Sequence, residues 1–187
     1  MSQNEINQSA ASAGGDIVGR DKLSIYNEAK PSPSGVEALL IKLNTQIKEN
    51  QEAQDLIEEL ARYHVRKSID GIDGLEAKLQ AANLSHTYID AIDKKERFVK
   101  LLERMSLYSS AQKIFVLFLA QAENEFNNVV YPEISNRSES EVNLMIIERI
   151  IKPICAQADG DILLIDYNIV FGMIYWLAEQ CFIRWHK

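Results

Sequence analysis

The sequence predicts a mainly α protein, a helical bundle over residues 36–187 preceded by a short β-hairpin at 14–29, a linker at 30–35 and a flexible tail at 1–13. Three observations carry this reading. From Val36 onward apolar residues recur at helical spacing, first at Leu39, Leu40, Leu43 and Ile47. Residues 22–27 alternate polar and apolar instead, the period of a half-buried strand. Residues 1–13 are rich in Ser, Asn, Gln and Ala, with too little apolar surface to offset the entropy of ordering.

Taken in order, Asp16-Ile17-Val18 supplies one strand, Gly19-Arg20-Asp21 a tight turn, and residues 22–27 the returning strand. A lone two-stranded hairpin is marginal in water, so this one is expected to pair with another surface or with sister copies. Pro31 and Pro33 stiffen the linker. Leu56, Ile57, Leu60, Ala61 and His64 predict a second helix, which Gly71 and Gly74 break. A short helix follows at 75–82. A long one at 85–107 carries Ile89, Ile92, Val99 and Leu102 on one side and charges on the other. Within the helix at 109–130, residues 114–120 are apolar on all sides, so this helix is expected at the centre, wrapped by others, with Pro132 ending it. Ser138 and Glu141 have the spacing of a capping box before a helix at 141–158, which Pro153 is expected to kink or shorten. Asp159-Gly160-Asp161 reads as a turn before the last helix, 162–180. Gly172 inside that helix costs roughly 1 kcal/mol relative to Ala and so marks a close helix contact. Residues 181–185 are expected as a short strand or a docked tail.

The chain has 187 residues, 20 of them basic and 27 acidic, for a net charge of -7. That balance leaves little for a phosphate-binding face, so direct binding of nucleic acid is not expected. Cys155 and Cys181 lie in apolar surroundings and read as free buried thiols, which fits a cytoplasmic setting. The most apolar stretch, 162–185, is interrupted by Asp166, Asn168, Glu179, Gln180 and Arg184 and does not read as a membrane span.

Chemistry is hard to place. His64, His86 and His186 are not at metal-ligand spacing with one another or with cysteine. Asp159 and Asp161 read as a solvated turn, since a calcium loop needs further ligands. Gly15 and Gly19 suggest a phosphate cradle, but a strand rather than a helix follows them. The expectation is no catalytic residue, no metal, no cofactor and no enzymatic activity. Two lesser readings stay open. One is a ligand site built from His64, Glu123, Asn124 and Asn127. The other is a nucleic-acid sensor using Lys94, Lys95, Arg97, Lys100 and Arg104, although Asp90, Asp93, Glu96 and Glu103 are interspersed there as on a solvated helix face. Among the C-terminal aromatics, Phe171 and Trp176 read as core. Trp185 divides evenly between core and binding surface, and Tyr175 and Arg184 join it as candidate docking residues.

Both ends carry a resemblance. Gly15-Asp16-Ile17-Val18-Gly19-Arg20-Asp21-Lys22 resembles a short motif of bacterial conflict and anti-phage proteins, found beside effector or NTP-hydrolysing modules. Gly172-Met173-Ile174-Tyr175-Trp176-Leu177 with Cys181-Phe182-Ile183-Arg184-Trp185 looks like the end of C-terminal domains in ABC-three-component systems. Those systems include Lamassu-type defence and combine an SMC-like ABC ATPase, a small middle component and an effector, which the C-terminal domain tethers. The resemblance implies a non-enzymatic adaptor of an anti-phage complex, docking an effector or the ATPase within a homo- or hetero-oligomer. The residues expected to bind partners are Asp16, Ile17, Val18, Gly19, Arg20, Asp21, Lys22, Leu23 and Ile25 at the hairpin, and Tyr175, Arg184 and Trp185 at the other end. Of the hairpin set, the apolar residues supply contact and the charged ones register. Family endings tend to have a histidine near Cys181, where this chain has Phe182. Residues 1–13 alone precede the first motif, so a stand-alone subunit recruiting its effector in trans is expected.

Overall fold

The computed structural model describes residues 34–67, 71–158 and 160–186; the expected tail, hairpin and residues 30–33 of the linker lie outside them, as does Asp159. Ser34, placed by the sequence in the linker, caps the first helix. Its hydroxyl accepts a hydrogen bond from the Glu37 amide at 3.1 Å, and its own amide donates to the Glu37 carboxylate at 3.2 Å. This capping box opens α1, Gly35–Lys48. Leu43 and Gln46 point inward. The Gln46 amide donates to the Ser109 hydroxyl at 2.9 Å and accepts from the Ser110 amide at 3.1 Å, satisfying a donor at the start of α5, Ser109–Glu125.

The expected second helix shrinks to α2, Glu58–Ala61, and a 3-10 turn, Arg62–His64. The approach to it is tied down instead by a buried side chain. Gln112 accepts from the Ile57 amide at 2.8 Å and donates to the carbonyls of Asp55 at 3.1 Å and Ser106 at 2.7 Å. Leu56 is left facing solvent. Next come α3, Leu75–Ala81, a 3-10 turn at Ser85–Thr87, and α4, Tyr88–Met105.

Pro132 stands in the turn that closes one helical course, as expected, whereas Pro153 is passed within another. α5 runs into a π-helical turn, Phe126–Val130, and a 3-10 turn, Tyr131–Glu133, that holds Pro132. α6, Glu139–Ile146, runs through a π-helical turn, Ile147–Ile151, into α7, Lys152–Gln157, which holds Pro153. Proline cannot donate to the carbonyl four residues back, and its ring crowds that carbonyl. The wider i→i+5 turn carries the backbone past that position. Pro153 therefore does not shorten the helix, one of the two outcomes expected of it. The last helix, α8, is Tyr167–Glu179 and starts later than expected, where the Asp166 carboxylate accepts from the Ile169 amide at 2.8 Å.

α8 lies at the centre of the described helices. Its residues from Gly172 to Ala178 are all buried, and its packing against α4 is the most extensive between any two of the described helices. The expectation that α5 is wrapped on all sides is corrected: Leu117 is exposed, along with Lys113 and Ala120 on the same face. Ile89, expected on a buried stripe, is 79% exposed. Gly172 does mark a close contact, since a Cβ there would lie 2.1 Å from the Lys94 carbonyl oxygen. No described helix is long and apolar enough to cross a membrane, and no strand occurs among the described residues.

Candidate docking site

Residues 181–186 are a docked tail, as one of the two expectations had it. Cys181 takes a left-handed conformation, φ 62°, so that its amide reaches the Ala178 carbonyl at 3.1 Å and the Phe182 amide reaches that of Leu177 at 2.9 Å. These two bonds form a Schellman closure, which turns the chain back over α8. Asn83 closes α3 in the same way, with φ 59°, and Asn50 closes α1 with φ 52°. Lys78, only 1% exposed, then fastens the tail: its ammonium donates to the carbonyls of Ala178 at 2.7 Å and Ile183 at 3.1 Å. The Asn127 side chain donates to the Phe182 carbonyl at 3.2 Å. Glu179 joins the same end of α8 to its neighbours, accepting from the Leu75 amide at 2.9 Å and pairing with Arg66 and, at 3.7 Å, with Lys95.

This anchoring leaves little of the expected aromatic docking surface exposed. Tyr175 is 7% exposed and Trp185 3% exposed. Trp185 stacks on Tyr175 with ring centroids 5.5 Å apart and tilts against Phe126 at 5.0 Å. Burial pushes the Tyr175 phenol up to about 12. Arg184 stays half-buried with its guanidinium 5.0 Å from the centroid of the Tyr131 ring. The other expected docking residues, 16–23 and 25, lie outside the described residues.

Trp185 nevertheless lines the floor of a cleft of about 120 Å³. Ala82 and Leu84, set on either side of Asn83, form one wall; Ile134 and Val142 form the other. Arg137, Glu139 and Asn143 supply the polar rim. Arg137 pairs with Glu133 at 3.0 Å and Glu141 at 3.8 Å, and Glu139 lies 3.4 Å from His86. Hydrogen bonds from Ser138 hold the Glu141 carboxyl below the ordinary range and fix the first turn of α6 beside the cleft. Small-molecule pockets run to roughly 300–1,000 Å³, so a cleft of this size suits one side chain of another protein rather than a metabolite.

Most residues of the two lesser readings make contacts within the fold. Glu123 accepts from the Tyr63 hydroxyl at 2.9 Å and pairs with Arg62 at 3.2 Å. Asn124 accepts from Asn128, Asn127 holds the tail, and His64 packs edge-on to Trp176 at 5.3 Å. On α4, Lys95 pairs with Glu179, Arg97 with Asp93 at 2.9 Å and Lys100 with Glu96 at 3.8 Å. No group of His, Cys, Asp and Glu able to hold a metal occurs among the described residues. Cys155 and Cys181 are free, and burial raises the pKa of the Cys155 thiol.

The comparison with known families settles the class. The family described as C-terminal domain 9 of the ABC-three component (ABC-3C) systems matches residues 74–185, more than half of the chain. The chain belongs to this family. Its CTD9 span begins at Gly74, against the Glu179 carboxylate, and ends at Trp185, so it takes in α3 to α8, the docked tail as far as Trp185 and every residue of the cleft. α1 and α2 precede the match, yet α1 packs on α5 inside it. No curated protein and no solved structure matches the chain.

Sequence reasoning passed over Lys78, Gln112 and the cleft. Lys78 had a signal, because it sits among Leu75, Leu79 and Ala82 on one helix face, where a lysine needs a buried partner. Nothing local ties Gln112 to residues 55–57.

Proposed function

We propose that this CTD9 chain is a non-enzymatic docking subunit of an ABC-three-component anti-phage assembly. Its cleft over Trp185 receives one apolar or aromatic side chain from a partner subunit, an effector or the SMC-like ABC ATPase. The observation that carries the reading is the cleft itself: an aromatic floor fixed by Lys78 and Asn127, apolar walls, and a rim bearing both signs of charge. A small desolvated pocket ringed by polar groups is the form that interface hot spots take. Residues 14–29 add a second attachment, pairing strands with the partner or with sister copies.

The test is co-purification of the tagged chain with the ATPase and effector subunits. Asn143→Trp, on the rim, fills the cleft from a half-buried position. The expected result is a loss of partner of about ten-fold or more with the melting temperature unchanged. Wild-type recovery of partner would overturn the cleft's role. Deleting 14–29 separately is expected to leave the helical body folded and to reduce the mass of the complex.

A further inference from the structure

A second surface lies away from the Trp185 cleft. Between α4 and the loop leading into α8 runs an open groove of about 270 Å³, floored by Leu101, Leu163, Leu164 and Ile169 and edged by Arg97, Lys100 and Arg104. We infer that this groove docks an acidic, leucine-rich segment of a partner protein, one apolar side chain entering beside Leu164 while its flanking carboxylates meet the α4 cations.

Three independent features point there. First, Arg97, Lys100 and Arg104 fall on one face of α4 at i, i+3 and i+7, a basic strip on a chain of net charge -7. Arg97 and Lys100 lean on Asp93 and Glu96 through exposed i,i+4 pairs, which are weak and exchange readily for a partner's carboxylate. Arg104 forms no ion pair among the described residues. Second, Leu164 is 66% exposed and has a left-handed backbone, φ 50°, a conformation that strains a leucine. Leu163, next to it, is buried. The loop thus sinks one leucine and turns the next outward into the groove, against the hydrophobic effect and at a backbone cost. Strain of this kind persists where the surroundings impose it, and it concentrates at ligand-contacting positions. Third, roughly 150 Å³ suffices for a benzene-sized group, so the groove has room for a large apolar side chain.

Nucleic acid fits the groove less well. Asp93 and Glu96 sit beside two of the three cations, and the floor is aliphatic, offering neither a phosphate track nor an aromatic platform for bases.

The test is selection of displayed, randomised short peptides on the full-length chain. Enrichment of sequences combining Asp or Glu with Leu, Ile or Phe is expected, and their affinity should fall about ten-fold with Arg104→Glu and with Leu164→Asp. Both positions are at the surface, and unchanged circular dichroism and melting temperature will show that each variant folds. Asn143→Trp, which fills the other cleft, should leave these peptides bound. Enrichment of basic or purely apolar peptides, no enrichment, or affinity unchanged in both variants would overturn the inference. So would a homodimer in native mass spectrometry that Arg104→Glu dissociates, since a second copy would then own the groove, or duplex DNA retarded by the wild type and released by that variant.

Discussion

Gly172 is glycine because another residue stands where its side chain would be. The Lys94 carbonyl oxygen would lie 2.1 Å from a Cβ and the Phe98 Cβ 2.9 Å from it. The first is backbone, which cannot swing aside as a side chain would, so adding a methyl must part α8 from α4. Gly172→Ala is expected to destabilise by about 1–3 kcal/mol despite its gain in helix propensity. That lowers the melting temperature by several degrees in a chain of this size. A urea midpoint at or above the wild-type value would show that the two helices separate without cost. Gly172 was legible in advance because glycine inside an apolar helix needs a reason. Lys78 was legible in principle, being a cation on a leucine face. Gln46 and Gln112 were not, since their partners lie 63 and 64 or 55 and 57 residues away, and only the folded chain brings them together.

Among the elements, the caps follow directly from sequence and the register does not. Ser34 and Ser138 each stand three residues before a glutamate, and both form full capping boxes. Only the second was expected, because the prolines around Ser34 drew it into the linker. Ser34→Ala is expected to cost about 1 kcal/mol, and amide exchange should place the loss in α1 and leave α8 untouched. Register is harder to read because each π-helical turn inserts a residue and rotates everything beyond it relative to an α-helical count. The apolar run 114–120 misled for a different reason. Burial depends on what packs around a helix, and α8, with its unbroken burial from Gly172 to Ala178, has the stronger claim to the centre.

The helical body as a whole is held by a buried aromatic set, and that predicts its response to alkali. Tyr63 and Tyr175 both have pKa values pushed up to about 12, mainly by burial, and for Tyr63 also by its bond to the Glu123 carboxylate. The folded state thus favours the neutral phenols. Their contribution to stability is complete below the ordinary value of 10.0 and is lost as pH rises through about 12. Urea midpoints should hold steady up to that lower value and fall beyond it, with late tyrosinate absorbance that Tyr63→Phe and Tyr175→Phe remove. Early titration of both phenols would contradict the burial described. Over the described residues the helical architecture and the family ending were readable from the sequence. The cleft was not, because its walls come from residues 82–84, 134–143 and 185, which no linear pattern joins.

The placement of the two tryptophans has an optical consequence. Trp176 packs against Phe98 and Tyr63 and takes no part in the cleft that Trp185 lines. The chain has no third indole. Emission from Trp185 should therefore respond when a partner's side chain enters the cleft, with Trp176 as an internal reference in the same spectrum, so that assembly can be followed in real time without a label.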